Sequence, residues 1–386
     1  MSQRGIAALY MRGGTSKGVF FRAGDLPAEP ARRDRVLLRV IGSPDAYGKH
    51  IDGMGGATSS TSKVVLLSRS AQPGCDVDYL FGAVAVEQPV IDWSGSCGNL
   101  AAAVGPAAIH WGLVEAPAQG VATVRIWQAN TRSVIVARVP MQGGAVLEEG
   151  TFELDGVSFP SAEIVLEFPN PGEGSSASGL FPTGRVLDRL EVPGVGALEL
   201  TLINAGNPAV FADAAALGLR GDELQDAVND DAALLRRCEA VRAHAAVAMG
   251  LAATPQEATA RRPATPKLAF VAPPRAYRAA GGRAVEAADI DLNVRILSMG
   301  RLHHAMTGTG AVALAAAAAI PGTLVRRCAE PDAAGRLRFG HPSGITTVGA
   351  EARLEAGQWR VTRVIISRSA RRLMEGAVLA PAAAFD

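Results

Sequence analysis

Cysteine is scarce in this chain of 386 residues, which holds four: Cys75, Cys97, Cys238 and Cys328. None forms a Cys-x-x-Cys pair, so a disulfide scaffold is excluded and a reducing, cytoplasmic compartment is expected. No histidine or second cysteine stands at ligand spacing from any of them, so no metal site is expected. An excess of one charge is also missing. The formal net charge is +1 and no Lys/Arg run exceeds two residues, whereas a nucleic-acid partner needs a concentrated positive face. Long apolar runs are lacking as well. The longest, Ala311 to Ile320, is too short to span a bilayer, and the run in "MSQRGIAALYMRGG" is too short for a signal peptide. What remains is a globular composition, 48% hydrophobic and 19% charged, in a chain long enough to favour two domains.

Strand patterns dominate. "GIAALYM", "KVVLLS", "DVDYLFGAVAVE", "TVRIWQ", "SVIVARVP" and "ALELTLINA" are short, rich in branched residues and often alternating. Gly and Pro, 43 and 23 residues, punctuate them as turns. Helical periodicity marks "ARRDRVLLRVIG", "DDAALLRRCEAVRAHAAVAMG" and the Ala-rich runs after Cys97 and Gly308. The mixture predicts an α+β fold. Two echoes divide it. "SCGNLAAAVGPAAI" (96–109) matches "MTGTGAVALAAAAAI" (306–320), a Gly-containing elbow followed by an Ala-rich helix. "MRGGTSKGVFF" (11–21) matches "INAGNPAVFAD" (203–213), a strand, a Gly turn and a second strand. They recur in the same order, the mark of a duplicated domain. The expected domains are 1–184 and 185–386, with the last strand able to cross back to the first.

The glycine-rich loops carry no nucleotide signature, so no cofactor is expected. "GGTSKG" (13–18) lacks the P-loop spacing, and "DGMGGATSSTSK" (52–63) contains no Gly-x-Gly-x-x-Gly. Both still offer backbone N–H groups, hydroxyls and a lysine, which suit a carboxylate as well as a phosphate; an ordinary polar turn is the alternative. Lys63 begins an apolar strand, where desolvation turns a lysine toward base chemistry, although most lysines are surface residues. Cys97 precedes the first Ala-rich helix, whose positive dipole end favours a thiolate; a small core cysteine is the competing reading. The matching elbow holds Thr307. Adjacent histidines, His303 and His304, would face different sides of a helix.

These blocks resemble the PrpF family. The similarity is carried by "YMRGGTSKGVFF", "GSPDAYGKHIDGMGGATSSTSK", "DWSGSCGNLAAAVG", "TPKLAFVAPP", "LSMGRLHHAM", "FGHPSG" and "SRSARRLMEG", and it runs along nearly the whole chain. The resemblance implies a diaminopimelate epimerase-like fold: two pseudo-symmetric α+β domains, each a sheet wrapped around a central helix, with an active site in the cleft between them. It implies a cofactor-independent 2-methylaconitate isomerase of the methylcitrate route for propionate breakdown. Catalytic roles fall on Lys63 and Cys97, either of which can be base or acid. Substrate carboxylates would meet Arg12, Gly13, Gly14, Thr15, Ser16, Gly98 and Asn99, and also Lys267, Ser298 and His303, the last alternatively a packed residue before the helix. Thr307 departs from the amino-acid epimerases of this fold, which need a second cysteine there. The expected partner is a small tricarboxylate, with no nucleic acid and no membrane, and a homodimer is left open. The rival readings are an isomerase of another unsaturated tricarboxylate, such as a 4-oxalomesaconate tautomerase, and a non-catalytic anion-binding protein.

Overall fold

The computed structural model describes residues 2–174 and 179–386. By the packing of its backbone the chain divides into two units. One comprises Met1–Glu153, Phe159–Leu166 and Arg368–Asp386, and the other Leu154–Ser158 and Glu167–Ser367. The chain therefore changes unit upstream of the 184/185 boundary read from the sequence, and its last strand lies in the first unit.

The first unit opens with a hairpin of β1 (Gln3–Gly13) and β2 (Ser16–Arg22). Helix α1 (Pro30–Ile41) follows. Its start is written in the sequence: Pro30 sits at the first helical position, and the Glu29 carboxylate accepts from the N–H groups of Ala31 and Arg32 at 2.9 and 2.8 Å. Val36, Leu37, Val40 and Ile41 form a stripe packed with Val19, Phe21, Val64 and Leu66. Each such side chain contributes roughly 1.5–3 kcal/mol by leaving water. Gly42, at φ 88°, ends the helix in the left-handed conformation that glycine adopts without strain.

Next come β3 (Lys63–Arg69), β4 (Val77–Val84), the short β5 (Ile91–Asp92), helix α2 (Gly98–His110), β6 (Gly120–Gln128), β7 (Ser133–Gln142) and β8 (Ala145–Val146). The chain changes unit within β9 (Ile164–Pro169). Strands β2 and β3 pair in parallel, β3 and β4 antiparallel, β4 and β6 in parallel, and β6 and β7 antiparallel. The parallel joins fall where α1 and α2 supply the crossover, as parallel strands require. Helix α2 is buried from Gly98 through Ala108. A helix apolar on every side belongs inside, and its small residues let the sheet close around it. A Cβ on Gly105, for instance, would stand 2.7 Å from Cγ2 of Val139.

The second unit repeats this plan. Strands β10 (Asp188–Val192), β11 (Gly196–Ala205) and β12 (Asn207–Asp213) precede helices α3 (Gln225–Asn229), α4 (Ala232–Ala248) and α5 (Pro255–Arg261). Strand β13 (Lys267–Ala272), the small β14 (Tyr277–Arg278) and β15 (Ala284–Val285), β16 (Leu292–Ser298) and β17 (Arg301–Leu302) lead into α6 (Gly308–Ala318). After α7 (Leu324–Cys328) come β18 (Arg336–His341), β19 (Gly344–Glu355) and β20 (Gln358–Arg368), and then β21 (Ala370–Pro381). Pairing runs β11–β12 antiparallel, β12–β13 parallel, β13–β16 antiparallel, β16–β18 parallel and β18–β19 antiparallel. That is the first unit's sequence of pairings step for step. Even the outer strands correspond, with β21 antiparallel on β1 and β10 antiparallel on β11. Helix α6 is buried along its whole length. Two similar α+β units, each with a sheet around a central Ala-rich helix, are what the paired echoes predicted.

Candidate active site

The duplication gives each unit the same local architecture: a glycine hairpin, a strand beginning with lysine, and an elbow that caps the central helix. In the first unit Cys97 is the N-cap of α2, and its Sγ accepts from the N–H of Leu100 at 3.4 Å. In the second, Thr307 caps α6, and its Oγ1 accepts from the N–H of Gly310 at 3.1 Å. Sulfur is a weak acceptor, and a hydroxyl is the better cap. Capping alone therefore does not explain a cysteine at the first elbow. Cys97 is 7% exposed, and the Tyr79 hydroxyl donates to its carbonyl at 3.0 Å. Burial raises the Tyr79 phenol well above its usual range, so it remains a donor.

The other cysteines sit elsewhere. Cys238 lies in the core between α4 and the second sheet, among Leu200, Leu202, Val241 and Phe270. Burial pushes its thiol up to about 11, and that of Cys328 also to about 11. Cys75 is raised chiefly by burial, with Asp76 adding to it. Among the four, Cys97 is the one placed at the N-terminus of a long helix.

Gly13 and Gly14 explain how the hairpin reaches this elbow. A Cβ on Gly13 would stand 2.6 Å from the Asn99 carbonyl oxygen and 2.9 Å from the Leu100 Cα. One on Gly14, at φ 49°, would stand 2.6 Å from Asn99 Oδ1. The Asn99 amide donates through Nδ2 to Thr15 Oγ1 at 3.0 Å, which latches loop to helix. Gly18 brings in the lysine: its Cβ would lie 2.8 Å from the Lys63 carbonyl oxygen and 3.1 Å from both Lys63 Cβ and Leu100 Cδ1. Lys63 is 7% exposed, with Nζ 5.0 Å from the centre of the Phe81 ring. Hence Thr15 and Asn99 meet at the mouth of the helix that Cys97 caps, with the buried Ser16 at the turn, and the Lys63 backbone and Leu100 of the first helical turn both border Gly18.

Arg12 is occupied differently. Its guanidinium donates to the carbonyl oxygens of Gly14 and Ser369 at 3.3 and 3.1 Å, and to the hydroxyls of Ser369 and Ser161, both at 3.0 Å. Burial lowers its pKa first, and Arg371 lowers it further. The structure uses Arg12 to hold the glycine loop in place.

In the second unit, Lys267 begins β13 as Lys63 begins β3. Its Nζ donates to the Ala264 carbonyl at 3.1 Å and the Ser298 hydroxyl at 3.3 Å, so these two called residues do come together. His303 is buried, and its Nδ1 accepts from the N–H of Ala305 at 3.1 Å. The expectation that His303 and His304 diverge is corrected here. They lie in the elbow before α6 rather than on a helix, and their rings stack with centroids 4.6 Å apart. The hairpin latch is repeated as well: Asn207 donates through Nδ2 to Thr309 Oγ1 at 3.0 Å.

Two residues escaped the sequence reading. Tyr79 looked like an ordinary strand aromatic. Arg368 stood inside a quoted block, "SRSARRLMEG", with nothing to mark it. It is 2% exposed, and its Nε donates to Asn99 Oδ1 at 3.0 Å. No local pattern could pair positions so far apart in the chain.

Comparison with known proteins shows the family. A family model described as PrpF protein matches residues 3–381. A 2-methyl-aconitate isomerase of Shewanella oneidensis is 57% identical over 97% of both chains. Another from Cupriavidus necator is 57% identical over 98% of both. The solved structure of a methylitaconate-delta-isomerase, 35% identical, superimposes with a TM-score of 0.77 over 100% of this chain and 98% of its own. A family match along nearly the whole chain and relatives at 57% identity make this chain a member of the PrpF family of isomerases.

Proposed function

We propose that this protein interconverts isomers of 2-methylaconitate by moving a carbon-bound proton, in the methylcitrate route of propionate breakdown and in the cytoplasm. The observation that carries this reading is the near full-length similarity to two 2-methyl-aconitate isomerases, supported by Cys97 at the N-cap of α2 and by Gly18, which brings Lys63 against Leu100 of that helix's first turn. A non-catalytic anion binder would need no such pair.

The substrate carries three carboxylates around a carbon–carbon double bond. A base removes an allylic proton, and the electron pair of that C–H bond delocalises onto a carboxylate as a dienolate. The former double bond then gains single-bond character and can rotate or shift. An acid returns a proton to carbon and fixes the product. We assign Lys63 as base and Cys97 as its acid/base partner, each contributing about 10²–10⁴-fold to the rate. The first-turn N–H groups of Gly98 and Asn99 and the loop Gly13–Ser16 favour the carboxylate on which charge develops. Arg12 serves by shaping that loop. Lys267, Ser298 and His303 are assigned to the remaining carboxylates, Lys267 as a fixed ammonium.

The test is turnover of purified protein against a panel of unsaturated tricarboxylates, followed by proton NMR in D₂O. Isomerisation of a 2-methylaconitate, with deuterium entering carbon, is expected. Turnover of 4-oxalomesaconate with none of any methylaconitate would replace this reading by the tautomerase one.

A further inference from the structure

Arg368 ends β20 with its side chain buried in the first unit, and a guanidinium rarely goes inside unless something there needs it. Its Nε–H fixes the direction of an amide: with Oδ1 of Asn99 accepting from Arg368, Nδ2 must point away, and it donates to Thr15 Oγ1. That hydroxyl oxygen already accepts, so its own proton remains to be donated to an acceptor such as a carboxylate. Thus a buried cation is linked through one amide to the hydroxyl at the tip of the glycine loop.

The same amide belongs to the second residue of the helix that Cys97 caps. We propose that Arg368 is a positioning residue for substrate binding, orienting Thr15 through Asn99 at the elbow that Cys97 caps. It does not touch the reacting atoms; it acts through the elbow.

Burial pulls the Arg368 guanidinium down to about 10, which leaves it a cation at neutral pH and a lasting donor to Asn99.

This inference rests on the reading of the glycine loop as a carboxylate-binding element, but its test does not depend on turnover. Binding of tricarballylate, a saturated tricarboxylate with no double bond to move, would be measured by titration calorimetry, beside a thermal melt, for wild type, Arg368→Gln, Arg368→Lys, Thr15→Val and the double variant Arg368→Lys/Thr15→Val. Folded Arg368→Gln and Arg368→Lys should each bind about tenfold more weakly, and the double variant no more weakly than Thr15→Val, because both changes act through one hydroxyl. Where Arg368→Gln fails to fold, the lysine variant decides. Wild-type affinity in folded Arg368→Lys, losses that simply add in the double variant, or failure of the wild type to bind tricarballylate would each overturn the proposed role. The expected losses in a protein inactive on the whole unsaturated tricarboxylate panel would sink the substrate assignment and leave this inference standing. An active enzyme whose affinity ignores Arg368 would do the reverse.

Discussion

Replacing Cys97 with serine separates the two jobs that, under the proposed mechanism, one atom performs at the mouth of α2. As a cap, Sγ holds the Leu100 N–H at 3.4 Å, while Thr307 holds the corresponding N–H at 3.1 Å with oxygen. Serine is among the best N-caps, and cap exchanges are worth about 0.5–2 kcal/mol. Against that stands the loss of a larger, softer atom from a site only 7% exposed. The two effects oppose each other, so Cys97→Ser should change stability by no more than about 1 kcal/mol, or roughly 2–4 °C in Tm for a unit of this size. As a proton-transfer group, serine is far worse, because its hydroxyl ionises only at much higher pH. Removing such a group lowers kcat by about 10²–10⁴-fold, which is about 2.7–5.5 kcal/mol in the barrier. The assay pairs a thermal melt with kcat, KM and solvent deuterium incorporation for the variant and the wild type. A melt unchanged within a few degrees, a KM within a few-fold and a collapsed kcat is the expected outcome. A folded variant with wild-type turnover would show that the thiol is only a small residue at a turn. Equal losses of stability and activity would show that its work is packing.

The remaining expectations follow from the same geometry. Lys63→Met should lower kcat by at least about 100-fold with a smaller effect on KM, whereas Lys267→Met should act mainly on KM; steady-state kinetics of both variants decide the assignment. Gly13→Ala drives a methyl into the backbone of Asn99 and Leu100, so it should cost about 1–3 kcal/mol and weaken substrate binding, read by urea unfolding and KM. Under the proposed mechanism the dienolate charge falls on helix N–H groups and a lysine, so exhaustive chelation should leave kcat unchanged; restoration of lost activity by a divalent ion would contradict it. Cys238 titrates at about 11 in the fold against an ordinary value of 9.0. The unfolded thiol therefore ionises first, and stability present below pH 9 is lost as the pH rises toward 11. The loss is on the order of 2–3 kcal/mol at most, and Cys238→Ala should remove that part of the alkaline slope in urea titrations at pH 8.5 and 10.5.

Much of the fold could be read from short stretches because its signals are local. The Gly turn at 13–14 and the Ala-rich run after Cys97 each declare one hairpin and one buried helix, and their repetition at 206 and 308 declares the second unit. The positions of Lys63 and Cys97 at the start of β3 and the cap of α2 were readable for the same reason, each bordering a strongly patterned element. The division between units was harder. "FPTGRVLD" (181–188) carries the turn chemistry of a linker, yet the backbone changes unit upstream, within β9, where a regular strand gives no compositional warning. Harder still was what joins distant positions. Lys267 occupies the place of Lys63 only once β12–β13 and β2–β3 are seen to pair alike, and Arg368 reaches Asn99 only through the pairing of β21 with β1.

The two lysines show how a duplicated frame comes to hold unlike chemistry. Each begins the strand that pairs in parallel with the second strand of the glycine hairpin, so the backbone offers both the same start. Their surroundings differ in what they ask of the amine. Lys267 donates to a carbonyl and a hydroxyl, acceptors that hold an ammonium and fix its proton directions, which suits a charge meant to stay a charge. Lys63 instead places Nζ over the face of Phe81, 5.0 Å from the ring centre, a contact that leaves the directions of its N–H bonds less fixed, as the proposed proton transfer would use. The caps diverge in the same sense: threonine, the better cap, stands in the unit with the anchored lysine, and cysteine, the better acid, in the unit with the ring-supported one. Under the proposed mechanism, one half of the duplication holds charge and the other moves a proton.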